Sequence, residues 1–363
     1  MRRPRVKNVH APISLPGGRI TIGLKQYGVA AEIEDDDAGT VARLLTLMDG
    51  TREVDDIVAD LATTHPDIDP DSVREAVDDL VDAGYVEDAA APLPANLTER
   101  EAVRYTSPRH FFAWIDDVPR ESPYTVQSRL KAASVTVLGL GGTGSAVASG
   151  LVASGVGRVH CVDFDVVEEP NLARQLLYTE QDVGAPKVKR AVDRLRAMNS
   201  LVDVTGEDLR VGSADDVAAL MDGRDAFVLC ADEPRPDITL WVDKAAHRTG
   251  TPWFMALYTG PMSVVGGFVP GETGCWACLR RQHDEQEHVR DGRKLFPETR
   301  QNAVVAGTAS VSGHLCALEV TYHLGGLPTQ VRGRVLHWNF ARWDHQYFID
   351  VPRYPGCPRC GTP

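Results

Sequence analysis

The spacing of apolar positions changes along the chain, and each change marks a predicted element boundary. Residues 10–34 alternate weakly around Pro16-Gly17-Gly18, with Arg19-Ile20-Thr21-Ile22-Gly23 and Val29-Ala30-Ala31-Glu32-Ile33 as candidate strands. That pattern predicts a β-hairpin or small meander. Helical spacing then takes over. Val41, Leu44, Leu45 and Met48 make one apolar face, ended by Asp49-Gly50. Thr51 to Glu53 begin a second helix, with Val54, Ile57, Val58 and Leu61 inward. Asp71 or Ser72 is the expected cap of a third, with Val73, Val77, Leu80 and Val81 inward and Gly84 as its stop. Tyr85-Val86 opens a closing strand. Residues 89–94 are small and proline-containing and predict a linker. A connector follows, with the aromatic cluster Phe111-Phe112-Ala113-Trp114 assigned to packing.

Beyond residue 130 the pattern is that of buried strands and glycine turns. Ser134-Val135-Thr136-Val137-Leu138 is a short β-branched strand, Gly139-Leu140-Gly141-Gly142-Thr143-Gly144 a glycine turn, and residues 145–154 a helix. Arg158-Val159-His160-Cys161-Val162 is the next strand and ends in Asp163. Such glycines permit a tight turn and let backbone amides approach phosphate at a helix N-terminus. An acidic residue about 20 positions further on can accept hydrogen bonds from ribose hydroxyls. The predicted architecture is α/β: a Rossmann-like doubly wound sheet behind a small winged-helix α+β domain. The boundaries are residues 1–90, a linker and connector over 91–130, and residues 131–363.

Composition narrows the function. The chain has 363 residues, 43% hydrophobic and 25% charged, with a net charge of −13. That balance disfavours a broad nucleic-acid-binding face. The acidity is local: residues 1–31 carry six basic and no acidic side chains, whereas residues 32–88 carry 19 acidic and three basic ones. Residues 132–157 lack charges but are crowded with Gly, Ser and Thr, so no membrane span is expected. Met1-Arg2-Arg3-Pro4-Arg5 is basic, but no hydrophobic stretch follows, so no secretory signal is expected either. Seven cysteines fit a reducing compartment, and the expected location is cytoplasmic. Cys161, Cys230 and Cys316 lie singly in apolar runs and are expected to be core residues.

The hairpin, the three short helices and the runs Leu45-Thr46-Leu47-Met48-Asp49-Gly50-Thr51-Arg52-Glu53-Val54-Asp55-Asp56-Ile57-Val58 and Ala83-Gly84-Tyr85-Val86 resemble the PqqD-like family. The resemblance implies a domain that binds a precursor or leader peptide, added as a strand to the exposed edge of the hairpin. The alternative is a scaffold or dimerisation module without a ligand.

A glycine turn alone also suits a dehydrogenase. The residues after it argue otherwise. Val162-Asp163-Phe164-Asp165, Asn171-Leu172-Ala173-Arg174-Gln175, Gly184-Ala185-Pro186-Lys187 and Asp232 after the strand Ala226-Phe227-Val228-Leu229-Cys230 stand in order. Together they resemble the ThiF/MoeB family of adenylating enzymes, over about residues 104–361. The resemblance implies ATP and magnesium. Gly139, Gly141, Gly142 and Gly144 would cradle phosphate, and Asp163 would take the ribose. Asn171, Arg174, Gln175 and Lys187 would line the phosphates, Asp165 would stand beside them, and Asp232 would coordinate magnesium. Both the attacking carboxylate and the phosphate are anionic, so positive charge is required. No strong general base is needed, because a carboxylate is already ionised near neutral pH. Family members often supply an arginine from a neighbouring subunit. Arg109, in Arg104-Tyr105-Thr106-Ser107-Pro108-Arg109-His110, is the candidate, which implies a homodimer with composite sites.

Cys275-Trp276-Ala277-Cys278 and Cys357-Pro358-Arg359-Cys360 are two CxxC pairs. Two such turns complete a tetrahedron of thiolates, and the expectation is structural zinc rather than redox chemistry. Residues 280–302 are polar and contain His283 and His288, expected to be a solvated crossover segment. Residues 303–324 predict a helix-rich packing region containing Glu319, and residues 331–340 and 347–349 late strands.

The overall layout resembles the microcin C-type peptide adenylyltransferases. The expected function is ATP-dependent adenylation of the C-terminal carboxylate of a ribosomally made peptide in modified-peptide biosynthesis, with a side-chain carboxylate as the open alternative. One alternative is activation of the Gly-Gly end of a ubiquitin-like sulfur carrier. Another is a non-catalytic leader-recognition subunit of a cyclodehydratase.

Overall fold

The computed structural model describes residues 1–23, 30–234, 237–287 and 303–361. Two compact units, Met1–Arg129 and Leu130–Pro363, make up the chain.

In the first unit β1 (Pro4–Val6) pairs antiparallel with β5 (Val86–Asp88), and β2 (Ile13–Leu15), β3 (Arg19–Ile22) and β4 (Ala31–Glu34) form a three-stranded antiparallel meander. Gly17 and Gly18 both take positive φ, 84° and 71°, which lets the chain reverse after Pro16. Val29 lies outside the described residues. Between β4 and β5 run α1 (Thr40–Leu47), α2 (Val54–Thr64) and α3 (Pro70–Asp82); α4 (Glu99–Arg104) and α5 (Thr106–Ile115) follow, and α6 (Thr125–Ala132) crosses the boundary between the units. The expected apolar faces meet here. Leu44, Leu45, Met48, Ile57, Leu61, Val73, Val77 and Leu80 are buried around Ile20 and Ile22, with Val41, Val54 and Val81 packed at the margin.

Two helix starts differ from expectation. The second helix begins at Val54, because Glu53 and Asp56 close a capping box ahead of it. The third is capped by Asp69, not by Asp71 or Ser72. Asp69 Oδ2 accepts the Ser72 N–H at 3.2 Å, and Pro70 occupies the first turn, where its missing N–H costs nothing. In the aromatic cluster Phe112 is buried, and Trp114 meets His10 edge to face at 5.8 Å.

The second unit is built on β6 (Ser134–Leu138), α7 (Gly142–Ala153), β7 (Arg158–Val162), α8 (Lys187–Met198), β8 (Asp203–Glu207), α9 (Ala214–Met221), β9 (Ala226–Leu229), α10 (Asp237–Thr249), β10 (Trp253–Thr259), β11 (Met262–Phe268), α11 (Trp276–Glu287), α12 (Ala306–Gly325), β12 (Arg334–Asn339) and β13 (Gln346–Asp350). The sheet order is β13-β12-β11-β10-β9-β6-β7-β8. The strands from β10 to β8 run parallel and the rest antiparallel. The chain leaves β6 towards β7 and β8, then returns to β9 on the other side. This reversal between β6 and β9 opens a crevice at their carboxyl ends, where α/β sheets take ligands. The fold class is the doubly wound α/β arrangement expected.

The long helix α12 lies on α7 through small residues. A Cβ at Gly313 would stand 2.4 Å from the Thr143 carbonyl oxygen, so only glycine permits this approach. Glu319 is buried on the same helix and accepts the Gln330 and Val331 N–H groups at 2.8 and 3.2 Å. His283 is exposed on α11, and His288 lies outside the described residues. Cys161 and Cys316 are fully buried, as expected, but Cys230 is only half-buried. It ends the run after β9, where the backbone turns out of the sheet. Among the described residues no helix is long and apolar enough to cross a membrane.

Candidate functional site

The crevice is assembled from strand ends held level by the sheet. Gly139 donates its N–H to the Val162 carbonyl at 2.8 Å, and Cys230 donates to the Leu138 carbonyl at 2.8 Å. Gly139 turns with φ 91°, and a Cβ there would stand 2.5 Å from the Ala231 nitrogen. Gly144 passes so close to the Gly139 carbonyl oxygen that no side chain fits between them. Gly142 lies against Ala309, 2.8 Å from where its Cβ would be. Gly141 differs from these. The nearest atom to its Cβ position is Gln175 Nε2 at 3.8 Å, which leaves its backbone approachable. Helix α7 starts at Gly142, three residues earlier than periodicity predicts, so its unpaired N–H groups open directly from the glycine turn.

Asp163 supports this turn from the end of β7. Its Oδ2 accepts the Leu140 N–H at 2.6 Å and its Oδ1 the Asp165 N–H at 2.8 Å. Burial pushes its carboxyl up, against the pull of the Lys187 ammonium and those two amides. Asp165 faces Lys187, whose Nζ lies 2.9 Å from Oδ2. The Lys187 side chain is 7% exposed, against 50% for Asp165. Paired backbone brings them together: Val167 donates to Ala185, Gly184 to Val167 and Lys187 to Asp165.

The segment 171–175 folds as one tight turn. Asn171 Oδ1 accepts the Glu168 N–H at 3.1 Å, and the Asn171 carbonyl accepts from Arg174 and Gln175. The Arg174 carbonyl oxygen stands 3.2 Å from the Cβ position of Gly142, so the turn abuts the glycine loop. Arg174 Nη1 donates to the Pro170 carbonyl at 2.9 Å. Gln175 is 3% exposed, and its Oε1 has no hydrogen-bond partner among the described residues. Periodicity gave no hint of Tyr178. Its buried hydroxyl donates to the Leu140 carbonyl at 3.0 Å and pins the turn from the other side. Asp232 is exposed on the loop after β9, next to Ala231, which touches Gly139. Arg109 lies in the first unit, on α5, with its guanidinium 5.2 Å above the Tyr124 ring.

These groups suit a polyphosphate. The glycine turn offers close, unpaired backbone donors, Arg174 and Lys187 supply cationic charge, and Asp232 offers an exposed carboxylate for a divalent ion.

The four cysteines of the two CxxC turns form a separate cluster. All their Sγ atoms lie within 4.8 Å of one another. Cys275 Sγ is 3.8 Å from Cys278 and 3.6 Å from Cys357, and Cys278 is 3.3 Å from Cys360. Tetrahedral zinc with Zn–S of about 2.3 Å has sulfur–sulfur edges near 3.8 Å, so the set fits such an ion. Four thiolates packed this closely repel one another and require a compensating cation. Close backbone packing joins the turns: a Cβ at Gly274 would fall 2.3 Å from the Val351 carbonyl oxygen. Arg353 ties the Cys360 carbonyl to that of Gly271.

Known proteins are similar to this chain along much of its length. The sequence matches the ThiF family over residues 116–358 and the family of coenzyme PQQ synthesis protein D (PqqD) over residues 38–85. A sulfur carrier protein adenylyltransferase of Thermus thermophilus is 36% identical over 240 residues, 65% of this chain and 84% of that one. The molybdopterin-synthase adenylyltransferase of Escherichia coli is 28% identical over 74% of this chain and 99% of its own. The fold is that of E. coli MccB, solved with ATP, at a TM-score of 0.75, 22% identity and 99% coverage of both chains. The microcin C7 biosynthetic enzyme MccB in complex with N-formylated MccA gives a TM-score of 0.74, 22% identity and the same coverage. The chain thus belongs to the ThiF family and is an ATP-dependent adenylyltransferase.

Proposed function

We propose that this enzyme adenylates a carboxylate of a ribosomally made peptide, at the peptide's C-terminus. The observation that carries this reading is the joining, in one chain, of a PqqD-like unit to a ThiF-type crevice. Adenylation itself needs only the crevice. The meander β2–β4 would take the leader of the peptide as an added strand, leaving the peptide's C-terminal carboxylate free to react.

In the reaction an oxygen of the peptide carboxylate attacks the α-phosphorus of ATP. The bond from that phosphorus to the bridging oxygen breaks, and pyrophosphate leaves. The backbone of Gly141, Gly142 and Gly144 would hold phosphate oxygens, with Gly139 making the turn. Asp163 would accept from the ribose. Arg174 and Lys187 would offset the charge that gathers on the phosphates, with Asn171 and Gln175 as neutral donors and Asp165 holding Lys187 in place. Asp232 would hold magnesium, which supplies Lewis-acid stabilisation of the phosphates when bound. Arg109 would act across a homodimer. Cys275, Cys278, Cys357 and Cys360 would hold structural zinc, with no open position for catalysis.

The identity to sulfur carrier protein adenylyltransferases favours a second reading, activation of a carrier protein's Gly-Gly terminus. ATP–pyrophosphate exchange separates the two. Exchange driven by a leader-containing peptide and not by a sulfur carrier protein supports the first. The reverse result overturns it.

A further inference from the structure

The two cysteine turns share a neighbour that is not a cysteine, Asp243. Asp243 on α10 has a side chain 1% exposed. Its Oδ1 accepts the backbone N–H of Trp276 at 3.0 Å, and its Oδ2 lies 3.4 Å from Nε of Arg359. Trp276 belongs to the first CxxC turn and Arg359 to the second. One carboxylate therefore grips both turns, although they stand 82 residues apart in the chain. Arg359 completes the link from the other side, because its own N–H donates to Cys357 Sγ at 3.5 Å. His247, one turn further along α10, donates from Nδ1 to the Asp243 carbonyl at 2.8 Å.

A buried carboxylate beside four thiolates is electrostatically unfavourable unless its partners compensate it. The neighbouring inward positions of α10, Ile238, Val242, Ala245 and Ala246, are all apolar. An apolar residue at 243 would fill the same face without that cost. The acid is explained by what it holds.

We propose that Asp243 is the positioning residue of the four-cysteine centre, setting the two turns at the spacing that lets all four sulfurs hold one zinc ion. This rests on the reading of the cluster as a zinc site. Outer-shell partners of this kind typically change metal affinity by about 10–100-fold.

The test uses the full chain. Zinc content is measured in the wild type, Asp243→Asn, Arg359→Gln and the double variant, followed by zinc release to a chromogenic chelator. Asparagine keeps an acceptor for the Trp276 N–H and loses the charge that pairs with Arg359 and faces His247 Nδ1 at 3.8 Å. Arg359 is 31% exposed, so its replacement tests the same link with little risk to folding. The expected result is zinc release faster by about tenfold or more in each single variant, with the double variant no faster than Asp243→Asn. The loss in thermal midpoint should also be larger with zinc bound than after its removal, which a general packing defect would not produce. Unchanged release from zinc-loaded variants, or equal midpoint losses with and without zinc, would overturn the assignment of Asp243 alone. A wild-type chain that binds no zinc would overturn the four-cysteine reading and this assignment with it.

Discussion

Lys187 holds Asp165 twice: its ammonium lies 2.9 Å from the carboxylate, and its backbone N–H donates to the Asp165 carbonyl at 2.9 Å. The second contact is independent of the side chains. It sets where the first turn of α8 begins and so where the ammonium stands. Replacing Lys187 with Gln should therefore leave the backbone intact while removing the charge. ATP–pyrophosphate exchange should fall about 100-fold, as for loss of one preorganised charge-stabilising group. Asp165→Asn should act more mildly, raising KM for ATP more than it lowers kcat. Equal losses in both variants would contradict the division of roles.

Asp232 is exposed on a loop, so its replacement has no core to disturb. Asp232→Asn should abolish exchange at any magnesium concentration while leaving the thermal midpoint unchanged. Exchange retained at the wild-type rate would remove Asp232 from the ion-binding role.

The outer edge of the meander gives a test of peptide binding. Asp35 donates inward to the Gly18 carbonyl, so in an antiparallel ladder the N–H groups of Glu32 and Glu34 point away from β3. Proline at an outward position spares the sheet but removes a donor from an added strand. Glu34→Pro should weaken peptide binding by about three- to tenfold, the value of one hydrogen bond, and leave ATP binding unchanged. Unaltered peptide affinity, measured by calorimetry, would move the peptide off this edge.

Much of this arrangement could be read in the sequence, and the reason is its locality. Gly139 to Gly144, Asp163, the turn 171–175 and Lys187 each lie within a few residues of the strand or helix end that positions them. The CxxC pairs were also legible, because each presents two thiols by itself. What escaped was set by distant or competing contacts. Asp69, Asp71 and Ser72 are all good caps, and Pro70 decides among them by fitting only the first turn. The bond from Tyr178 to Leu140 spans 38 residues. Asp243 sits in an ordinary amphipathic pattern, and only its burial exposes its role. An acid among the inward positions of α10 was the one available sign.

Glu319 gives a pH test of the second unit. Burial raises its carboxyl above the usual 4.5, against two backbone donors. The unfolded chain therefore releases this proton at lower pH than the folded one. The folded state is relatively favoured in acid and loses that contribution as pH rises from 4.5 through the raised value. Glu319→Gln keeps an acceptor and never ionises. Its thermal midpoint minus that of the wild type should thus grow more positive across this window. A difference independent of pH would show that Glu319 does not titrate in this way.

The central claim is that the target carboxylate is a peptide's own C-terminus. It is tested most directly by ATP–pyrophosphate exchange with a leader-containing peptide that carries a free C-terminal carboxylate, compared with the same peptide amidated at its C-terminus. Exchange with the free carboxylate and none with the amide is the predicted result. Equal exchange with both would place the adenylate on an Asp or Glu side chain and contradict the account.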